Sequence, residues 1–442
     1  MADDIKAAAQ MARRAALVLG QASEGQRNGA LEAIAKALEA QEEKILAANK
    51  RDLEAAEKSV AEGKLSPVLL KRLKVDANKL HKEIVVGLRS VMAQEDPIGK
   101  TQAATELDEG LMLYRVTVPI GVIGVIFESR PDALVQIAAL CLKSGNAVML
   151  KGGREALHTN RALGDVILGA TAGLNGIPEG WLHVLEAREE VAAILDLHDL
   201  IDLIIPRGGN DLVQHIMNNT KIPVMGHADG ICHVYVDKAA NIDRAIKIAL
   251  DAKVQYPSVC NAAETLLVHK AIAPMFLPKM VQAYHEAGVE VRGDAMTQKT
   301  GGADVVPATE LDWATEYLDY IISIKVVDDL DTAIAHINHY GSHHTDAIVT
   351  EDGRAAKRFL QAVDSASVMH NVSTRFADGF RYGLGAEVGI STNRLHSRGP
   401  VGLEGLVIYK YVVEGNGQVV GDYSGEKGRL FTHQKRHVAW TP

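Results

Sequence analysis

The stretch of sequence that decides the fold is VPIGVIGVIFESRP, residues 118–131. Its apolar run from Gly121 to Phe127 predicts a buried strand. Residues 132–144 predict a helix directly after it, because their apolar side chains recur at helical spacing. Strands and helices then keep alternating as far as Ile205. This alternation is typical of an α/β fold, in which helices cover both faces of a parallel sheet.

The rest of the chain extends this pattern on both sides. Residues 5–94 carry Ala, Leu, Glu and Lys at helical spacing, and a second strand–helix series begins near residue 260. A strand over 111–118 and a hairpin with strands at 406–413 and 418–422 complete the prediction. These strands would make a sheet too small to stand alone, so we expect a homo-oligomer in which it pairs with a neighbouring chain.

The composition argues against several classes of function. The chain has 442 residues, of which 47% are hydrophobic, and a formal net charge of −9. The acidic balance argues against nucleic-acid binding, and no apolar run is long enough to span a membrane. Three cysteines without paired spacing argue against a disulfide framework and suit a reducing compartment. We therefore expect a cytoplasmic enzyme that acts on small molecules.

Cys260 is the candidate nucleophile. It lies in YPSVCNAAETLLVH, residues 256–269, between a predicted helix and an apolar strand, so two rigid elements would hold the thiol among small residues. The other thiols have plainer settings, because Cys141 falls on an apolar helical face and Cys232 falls in a strand-like run. An inert buried thiol remains the alternative for Cys260, since most cysteines are structural.

Two glycine turns are candidate phosphate-binding sites. Each follows a predicted strand, and together they contain Lys151, Gly152, Gly153, Arg154, Pro206, Arg207, Gly208 and Gly209. Glycines at the carboxyl end of a strand leave backbone N–H groups open to a phosphate. Ordinary turns are the alternative, since neither a G-x-G-x-x-G fingerprint nor a P-loop is present.

Four long motifs resemble one enzyme family. They are residues 118–131, residues 256–269, AIAHINHYGSHHTDAI at 333–348 and NVSTRFADG at 371–379. Together they resemble the gamma-glutamyl phosphate reductase family of the aldehyde dehydrogenase superfamily, over nearly the full length of the chain. The resemblance implies an aldehyde dehydrogenase-like α/β fold with a Rossmann-type cofactor domain, an α/β catalytic domain and a small β oligomerisation element.

This resemblance divides the chain into five parts. They are a helical segment leading into the cofactor domain (1–105), an oligomerisation strand (106–120), an NADPH-binding domain (121–256), a catalytic domain (257–400), and an oligomerisation hairpin and tail (401–442).

The resemblance also implies a reaction. The chain would reduce L-glutamyl 5-phosphate to L-glutamate 5-semialdehyde with NADPH, through a thioester on Cys260, as a step of proline biosynthesis. Functional coupling to glutamate 5-kinase is a further implied partnership. The alternatives are a reductase of a related acyl phosphate such as N-acetylglutamyl phosphate, an aldehyde oxidase of the superfamily, and a non-enzymatic assembly protein of the same fold. Intact Cys260, Lys151 and Glu316 argue against the last.

Several residue roles follow from the superfamily pattern. Ser129 takes the place of the Asn that holds the oxyanion, and residues 224–230 lack the Glu that activates water for thioester hydrolysis. Glu316 aligns with the Glu that holds the nicotinamide ribose, and Lys151 with the Lys that reaches the adenosine ribose. A solvated helical glutamate and an exposed charge are the respective alternatives.

The loop that resembles the substrate-anchor loop contributes Asn371, Ser373, Thr374 and Arg375. Arg375 and Asn371 are candidates for the substrate's α-carboxylate, since an Arg fork matches a carboxylate at two points. A structural salt bridge is the alternative for Arg375.

Two further inferences concern charge and metals. Arg154 stands where NAD-linked members of the superfamily often have a Glu, so we expect a preference for NADPH over NADH. No metal site is predicted, because nothing completes a ligand set around the histidines His336, His339, His343 and His344.

Overall fold

The computed structural model describes residues 2–65, 67–187, 189–227 and 229–441. The N-terminal part is helical, as predicted for residues 5–94, and its helices share one hydrophobic core with the first parallel sheet. Among the described residues, no helix is both long and apolar enough to cross a membrane. The helices are α1 (Ala2–Leu19), α2 (Glu24–Ala40), α3 (Glu42–Ala61), α4 (Pro67–Leu73), α5 (Ala77–Lys79) and, after a π-helical turn at Leu80–Val85, α6 (Val86–Met92).

The next part of the chain holds the first parallel sheet. Its elements are β1 (Thr101–Asp108), β2 (Leu111–Pro119), β3 (Val122–Phe127), α7 (Pro131–Lys143), β4 (Ala147–Lys151), α8 (Leu157–Thr171), β5 (Leu182–Leu185), α9 (Glu189–Leu195), β6 (Leu203–Arg207) and α10 (Asn210–Asn218). The sheet has the order β5-β4-β3-β6, and all its pairings are parallel. β3 and β4 are buried along their whole length, which explains their uninterrupted apolar sequences. Both glycine turns therefore lie at the carboxyl edge of one sheet.

A larger parallel sheet follows, in the order β10-β9-β11-β8-β7-β12-β13. Its elements are β7 (Cys232–Val236), α11 (Ile242–Val254), β8 (Ala263–His269), α12 (Ala273–Glu286), β9 (Glu290–Gly293), α13 (Ala295–Gly301), β10 (Val306–Pro307), β11 (Ile321–Val327), α14 (Leu330–Tyr340), β12 (Thr345–Val349), α15 (Gly353–Ala362) and β13 (Ser367–His370).

The division between the two sheets differs from the predicted boundary at residue 256. β7 pairs with β8 on one side and with β12 on the other, so it belongs to the second sheet, although it was assigned with α11 to the cofactor domain. Alternation of strands and helices predicts that a strand exists, but only its pairing decides which sheet it joins. The boundary therefore lies between β6 and β7.

The C-terminal part adds β14 (Ile390–Ser391), β15 (Gly399–Pro400), β16 (Val407–Glu414) and β17 (Gln434–Arg436). A small antiparallel sheet forms in the order β16-β2-β1-β17. The predicted hairpin is wrong, because Val420–Tyr423 is a 3₁₀ helix and β16 pairs with β2 instead. β1 begins at Thr101, before the oligomerisation strand predicted from residue 106, since both β2 and β17 supply it with backbone partners.

Candidate active site

Cys260 lies on the short connection between α11 and β8, where the sequence predicted it. Its side chain is half-buried. The loop before β7 packs directly against it, and a Cβ at Gly230 would clash with the Cys260 backbone. The Sγ atom of Cys232 donates a hydrogen bond to the Cys260 carbonyl oxygen at 3.2 Å. Cys141 is fully buried, and that burial raises its thiol pKa far above the ordinary value. Cys260 is thus the accessible thiol of the three.

Two histidines that the sequence did not identify as catalytic lie beside Cys260. A ring nitrogen of His227, a ring nitrogen of His344 and Cys260 Sγ all lie within 4.8 Å of one another. His344 is fully buried, its Nδ1 bonds Thr345 Oγ1 at 2.8 Å, and its Nε2 has no hydrogen-bond partner within the described residues. If the proton is on Nδ1, Nε2 is a free proton acceptor in this buried site.

His227 is the second of these histidines. Burial lowers the pKa of His227, against the opposing charge of Glu316, so this ring is neutral near pH 7. His227 falls in the segment 224–230, which lacks the Glu of the superfamily pattern. The presence of a histidine in this segment was the sequence feature that could have identified His227 as a site residue.

Glu316 is not a solvated helical residue. It lies outside the helices, and its carboxylate accepts a hydrogen bond from the backbone N–H of Gly230. Burial raises the pKa of Glu316, while that hydrogen bond and the neighbouring His227 lower it. The structure thus brings Glu316 to the loop that contacts Cys260, where a ligand near the thiol would meet it.

The predicted substrate loop is fastened to the Cys260 loop from both sides. Thr374 Oγ1 donates to the Asn261 carbonyl oxygen at 2.7 Å, and Asn261 Nδ2 donates to the Ala377 carbonyl oxygen at 2.7 Å. Arg375 is buried and its Nε donates to Gln255 Oε1 at 2.9 Å. The salt-bridge alternative for Arg375 is wrong in this structure, since no carboxylate within the described ranges pairs with it.

The remaining residues of that loop have mainly internal partners. Asn371 has a positive φ of 57°, and its amide group bonds both the N–H and the carbonyl oxygen of Thr350, each at 3.0 Å. Ser373 Oγ accepts from the Arg375 N–H at 3.3 Å. These contacts shape the loop, and they use one of the two amide hydrogens of Asn371.

A cavity of about 610 Å³ opens at the carboxyl edge of the first sheet. Its lining includes the whole first glycine turn, together with Phe127, Glu128, Glu155, Leu212 and His215. Lys151 is only 5% exposed and donates to the Gly152 carbonyl oxygen, so the alternative of an exposed charge is wrong. Side chains at Gly152 and Gly153 would collide with Asn160 and Glu155.

Ser129 lies near this cavity, with a positive φ of 50°. Its backbone N–H and its hydroxyl both donate to Glu155 Oε1, at 2.6 and 2.8 Å. In this conformation the Ser129 hydroxyl donates its hydrogen to Glu155. To bind an oxyanion, Ser129 would have to give up this hydrogen bond to Glu155 and donate to the substrate oxygen instead.

The second glycine turn lies between β6 and α10 and is hydrogen-bonded to the loop that precedes β7. Gly209 is the N-cap of α10, and its N–H donates to Glu128 Oε2 at 3.1 Å. Asn210 donates to Asp229, next to Gly230 in the Cys260 site. Pro206 packs close to Gly226, and a Cβ at Gly208 would collide with Glu128 and Leu212.

Arg207 of this turn lies by Glu387. Its Nη1 donates to the Glu387 carbonyl oxygen at 3.2 Å, and its Nη2 lies 3.8 Å from Glu387 Oε1.

Comparisons with known proteins agree with this geometry. Residues 1–320 match the aldehyde dehydrogenase family. Gamma-glutamyl phosphate reductase of Methanococcoides burtonii is 56% identical over 439 residues, 98% of each chain, and that of Natronomonas pharaonis is 53% identical over 442 residues, 100% of each chain. The crystal structure of gamma-glutamyl phosphate reductase from Thermotoga maritima matches with a TM-score of 0.89 and 42% identity, covering 94% of this chain and 99% of that one. The α/β fold and the family predicted from the motifs are confirmed, and the chain belongs to the gamma-glutamyl phosphate reductase family within the aldehyde dehydrogenase family.

Proposed function

We propose that this chain reduces L-glutamyl 5-phosphate to L-glutamate 5-semialdehyde and phosphate, the reductive step of proline biosynthesis. The observation that carries the proposal is the accessible thiol of Cys260 beside two imidazoles, within a member of this reductase family. The paired loops around it hold the thiol where two rigid elements meet, as covalent catalysis requires.

The first step is attack on the acyl carbon. His344 takes the thiol proton, and the resulting thiolate adds to the acyl carbon of the substrate. The tetrahedral oxyanion then collapses, the C–O bond to phosphate breaks, and a thioester remains on Cys260. A neutral imidazole can accept a proton, and burial keeps the neighbouring His227 neutral by lowering its pKa.

The residues at the edge of the first sheet fit a dinucleotide with a 2′-phosphate. The cavity has a floor of two glycines with no room for side chains and carries the cations Lys151 and Arg154. We assign NADPH to this cavity, held by the two glycine turns, with Glu316 on the ribose nearest Cys260. When bound, this cofactor supplies the hydride that converts the thioester into the aldehyde and free thiol.

The chain must also keep water from the thioester. Residues 224–230 contain no Glu that could activate water, and we propose that this preserves the acyl group for reduction. Arg375 is placed to hold the α-carboxylate, because its buried guanidinium is already oriented by Gln255.

Oligomerisation and coupling to glutamate 5-kinase remain part of the proposal. The edge strand β16 exposes Ile408, Tyr409, Tyr411 and Val413, and such an edge suits pairing with a second copy. A cytoplasmic location is consistent with three free cysteines.

The decisive experiment runs the reaction in reverse. Purified protein, L-glutamate 5-semialdehyde, inorganic phosphate and NADP⁺ should produce NADPH, and omission of phosphate should stop it. Formation of NADPH without phosphate would identify an aldehyde oxidase instead. A higher kcat/KM for N-acetylglutamate semialdehyde would favour the related acyl phosphate.

A further inference from the structure

A cluster of arginines lies beside the segment that leads to Cys260, and two of its members, Arg72 and Arg130, have no role in the proposed reaction. Arg72 Nη2 donates to the Ser258 carbonyl oxygen at 2.9 Å, and Arg72 also donates to the Tyr256 hydroxyl. Arg130 is close enough to Arg72 and to Arg207 for their charges to repel. We name Arg72, Arg130 and Arg207 the arginine cluster. It gathers three cations from three separate elements.

Two carboxylates, Asp132 and Glu387, lie near the three cations of this cluster, so positive charge is in excess. Glu387 forms its contacts with Arg207, through its carboxylate and its carbonyl oxygen. The side chain of Arg130 makes no hydrogen bond or ion pair within the described ranges, and Asp132 next to it pairs with Lys79 at 3.0 Å. The Nε of Arg72 is buried without a partner. Since buried donors are nearly always satisfied, these groups point to an anionic ligand of the working enzyme.

Backbone geometry adds to the same place. Arg130 is the N-cap of α7, a 13-residue helix, and no side chain caps its first N–H groups. Pro131 has no N–H and the Ala133 N–H donates to the Arg130 carbonyl oxygen, so the Asp132 N–H is the donor that this helix N-terminus can offer to an anion. Burial, followed by the charges of Arg207 and Arg72, lowers the pKa of Arg130, while the nearby Asp132 opposes this shift.

The cluster is within reach of the reacting carbon. Ser258, which Arg72 contacts, precedes Cys260 by two residues, and two residues span at most about 7 Å. The proposed substrate carries a phosphate on the carbon that Cys260 attacks and a carboxylate at its other end. Arg375 approaches from the loop 373–377, which is a different element from those that carry Arg72 and Arg130.

We infer that Arg72, Arg130 and the N-terminus of α7 bind the phosphate of the acyl phosphate, which leaves Arg375 for the α-carboxylate. This inference rests on the proposed function. A phosphate dianion accepts bidentate guanidinium contacts and helix N–H groups together, and its negative charge grows as the C–O bond breaks. Arg207 adds positive charge near Arg130, and its contacts with Glu387 hold its side chain in position.

The reverse reaction tests this directly, because phosphate and semialdehyde are then separate substrates with separate KM values. In Arg130→Gln we expect the KM for inorganic phosphate to rise at least tenfold, while the KM for semialdehyde stays within twofold. Arg375→Gln should do the opposite. Arg89→Gln, which breaks an ion pair with Glu39 far from the site, should change neither KM. An Arg130→Gln enzyme with an unchanged phosphate KM, or with only the semialdehyde KM raised, overturns the inference.

A binding measurement removes the dependence on turnover. Inorganic phosphate should slow alkylation of Cys260 by iodoacetamide in the wild type, and Arg130→Gln should lose this protection at the same phosphate concentration. Should Arg130→Gln fail to fold, Arg130→Lys keeps the charge and should show intermediate protection, and full protection in that variant would contradict a two-point contact. If the wild type shows phosphate protection but no phosphate-dependent turnover, the proposed function fails while the phosphate site stands.

Discussion

The carboxyl edges of the two parallel sheets are organised in different ways. At the second sheet, side chains bind the backbone of neighbouring loops, as Thr374 and Asn261 do across the Cys260 loop. At the first sheet, polar groups around an open cavity bind one another, as Ser129 binds Glu155 and Gly209 binds Glu128. A ligand at the first edge must exchange existing hydrogen bonds, whereas the second edge is already assembled. Substitutions should therefore have large effects at the catalytic edge and smaller, graded effects at the cofactor edge.

The largest effect should come from the nucleophile. Cys260→Ser should retain less than about a hundredth of wild-type turnover, an increase in barrier of more than ~2.7 kcal/mol, because an alcohol is a far weaker nucleophile than a thiol. Folding and NADPH binding should be nearly unchanged, as measured by melting temperature and by cofactor titration. Cys141→Ser is not a fair control because that thiol is fully buried, so turnover should be compared with wild type alone. Turnover above that limit would refute covalent catalysis at Cys260.

The catalytic edge also rests on a buried ion pair. Lys253 Nζ lies 2.6 Å from Glu264 Oε2, both side chains are 0% exposed, and the same carboxylate accepts from the Leu318 N–H. Lys253→Met should lower the free energy of unfolding by about 3–5 kcal/mol at pH 8, because a buried carboxylate loses its partner. Lys270→Met, which breaks an exposed pair with Asp328, should cost under about 1 kcal/mol.

The same pair predicts a pH dependence. Burial raises the pKa of Glu264 to about 7, against the charge of Lys253. The folded pKa lies above the ordinary value, so the contribution of this group to stability is complete below about pH 4.5 and is lost as the pH rises to about 7. The cost of Lys253→Met should accordingly shrink at pH 5, where Glu264 is protonated. Denaturant unfolding of the wild type and of Lys253→Met at pH 5 and pH 8 measures this difference in the free energy of unfolding. An equal loss of stability at both pH values would contradict the raised pKa of Glu264.

The proton acceptor should come next. His344→Asn should reduce kcat about 100-fold at pH 7, and the deficit should narrow as the pH approaches the ordinary thiol pKa of about 8.5, where Cys260 ionises without help. The pH profile of kcat/KM is the measurement. His339→Asn removes an exposed histidine of the same segment and should leave the profile unaltered. A His344→Asn deficit that is constant with pH would indicate a structural role only.

The histidines show where prediction from sequence stops. The alternation of strands and helices predicted both α/β parts, and the residues around Cys260 predicted the nucleophile. His227 and His344 lie on separate loops, and only the parallel order of β7, β8 and β12 brings them together. The hairpin was wrong for a related reason. Turn residues at 415–417 describe local geometry, while β16 takes its partner from β2, hundreds of residues earlier.

Substrate anchoring should produce a moderate effect. Arg375→Lys should raise the KM for glutamyl phosphate roughly 30-fold, ~2 kcal/mol, because a lysine cannot make two parallel hydrogen bonds to a carboxylate. Arg358→Lys, at an exposed pair with Asp331, is the matched control and should behave as wild type. Unchanged kinetics in Arg375→Lys would assign Arg375 to holding Gln255 alone.

The smallest effect, and the test of the cofactor edge, should come from Arg154. This residue is exposed at the mouth of the cavity, next to Gly152 and Gly153. Reversing its charge in Arg154→Glu should turn attraction for that phosphate into repulsion, and a carboxylate can instead accept a ribose hydroxyl. The ratio of kcat/KM for NADPH to that for NADH should drop at least about tenfold, ~1.4 kcal/mol. Arg161→Glu reverses a charge on the following helix that does not line the cavity, so it should leave the ratio near the wild-type value. An unchanged ratio in Arg154→Glu would mean that the buried Lys151 alone discriminates between NADPH and NADH. A drop in the ratio as large as the loss of kcat in His344→Asn would show that the cofactor edge is as preorganised as the catalytic edge.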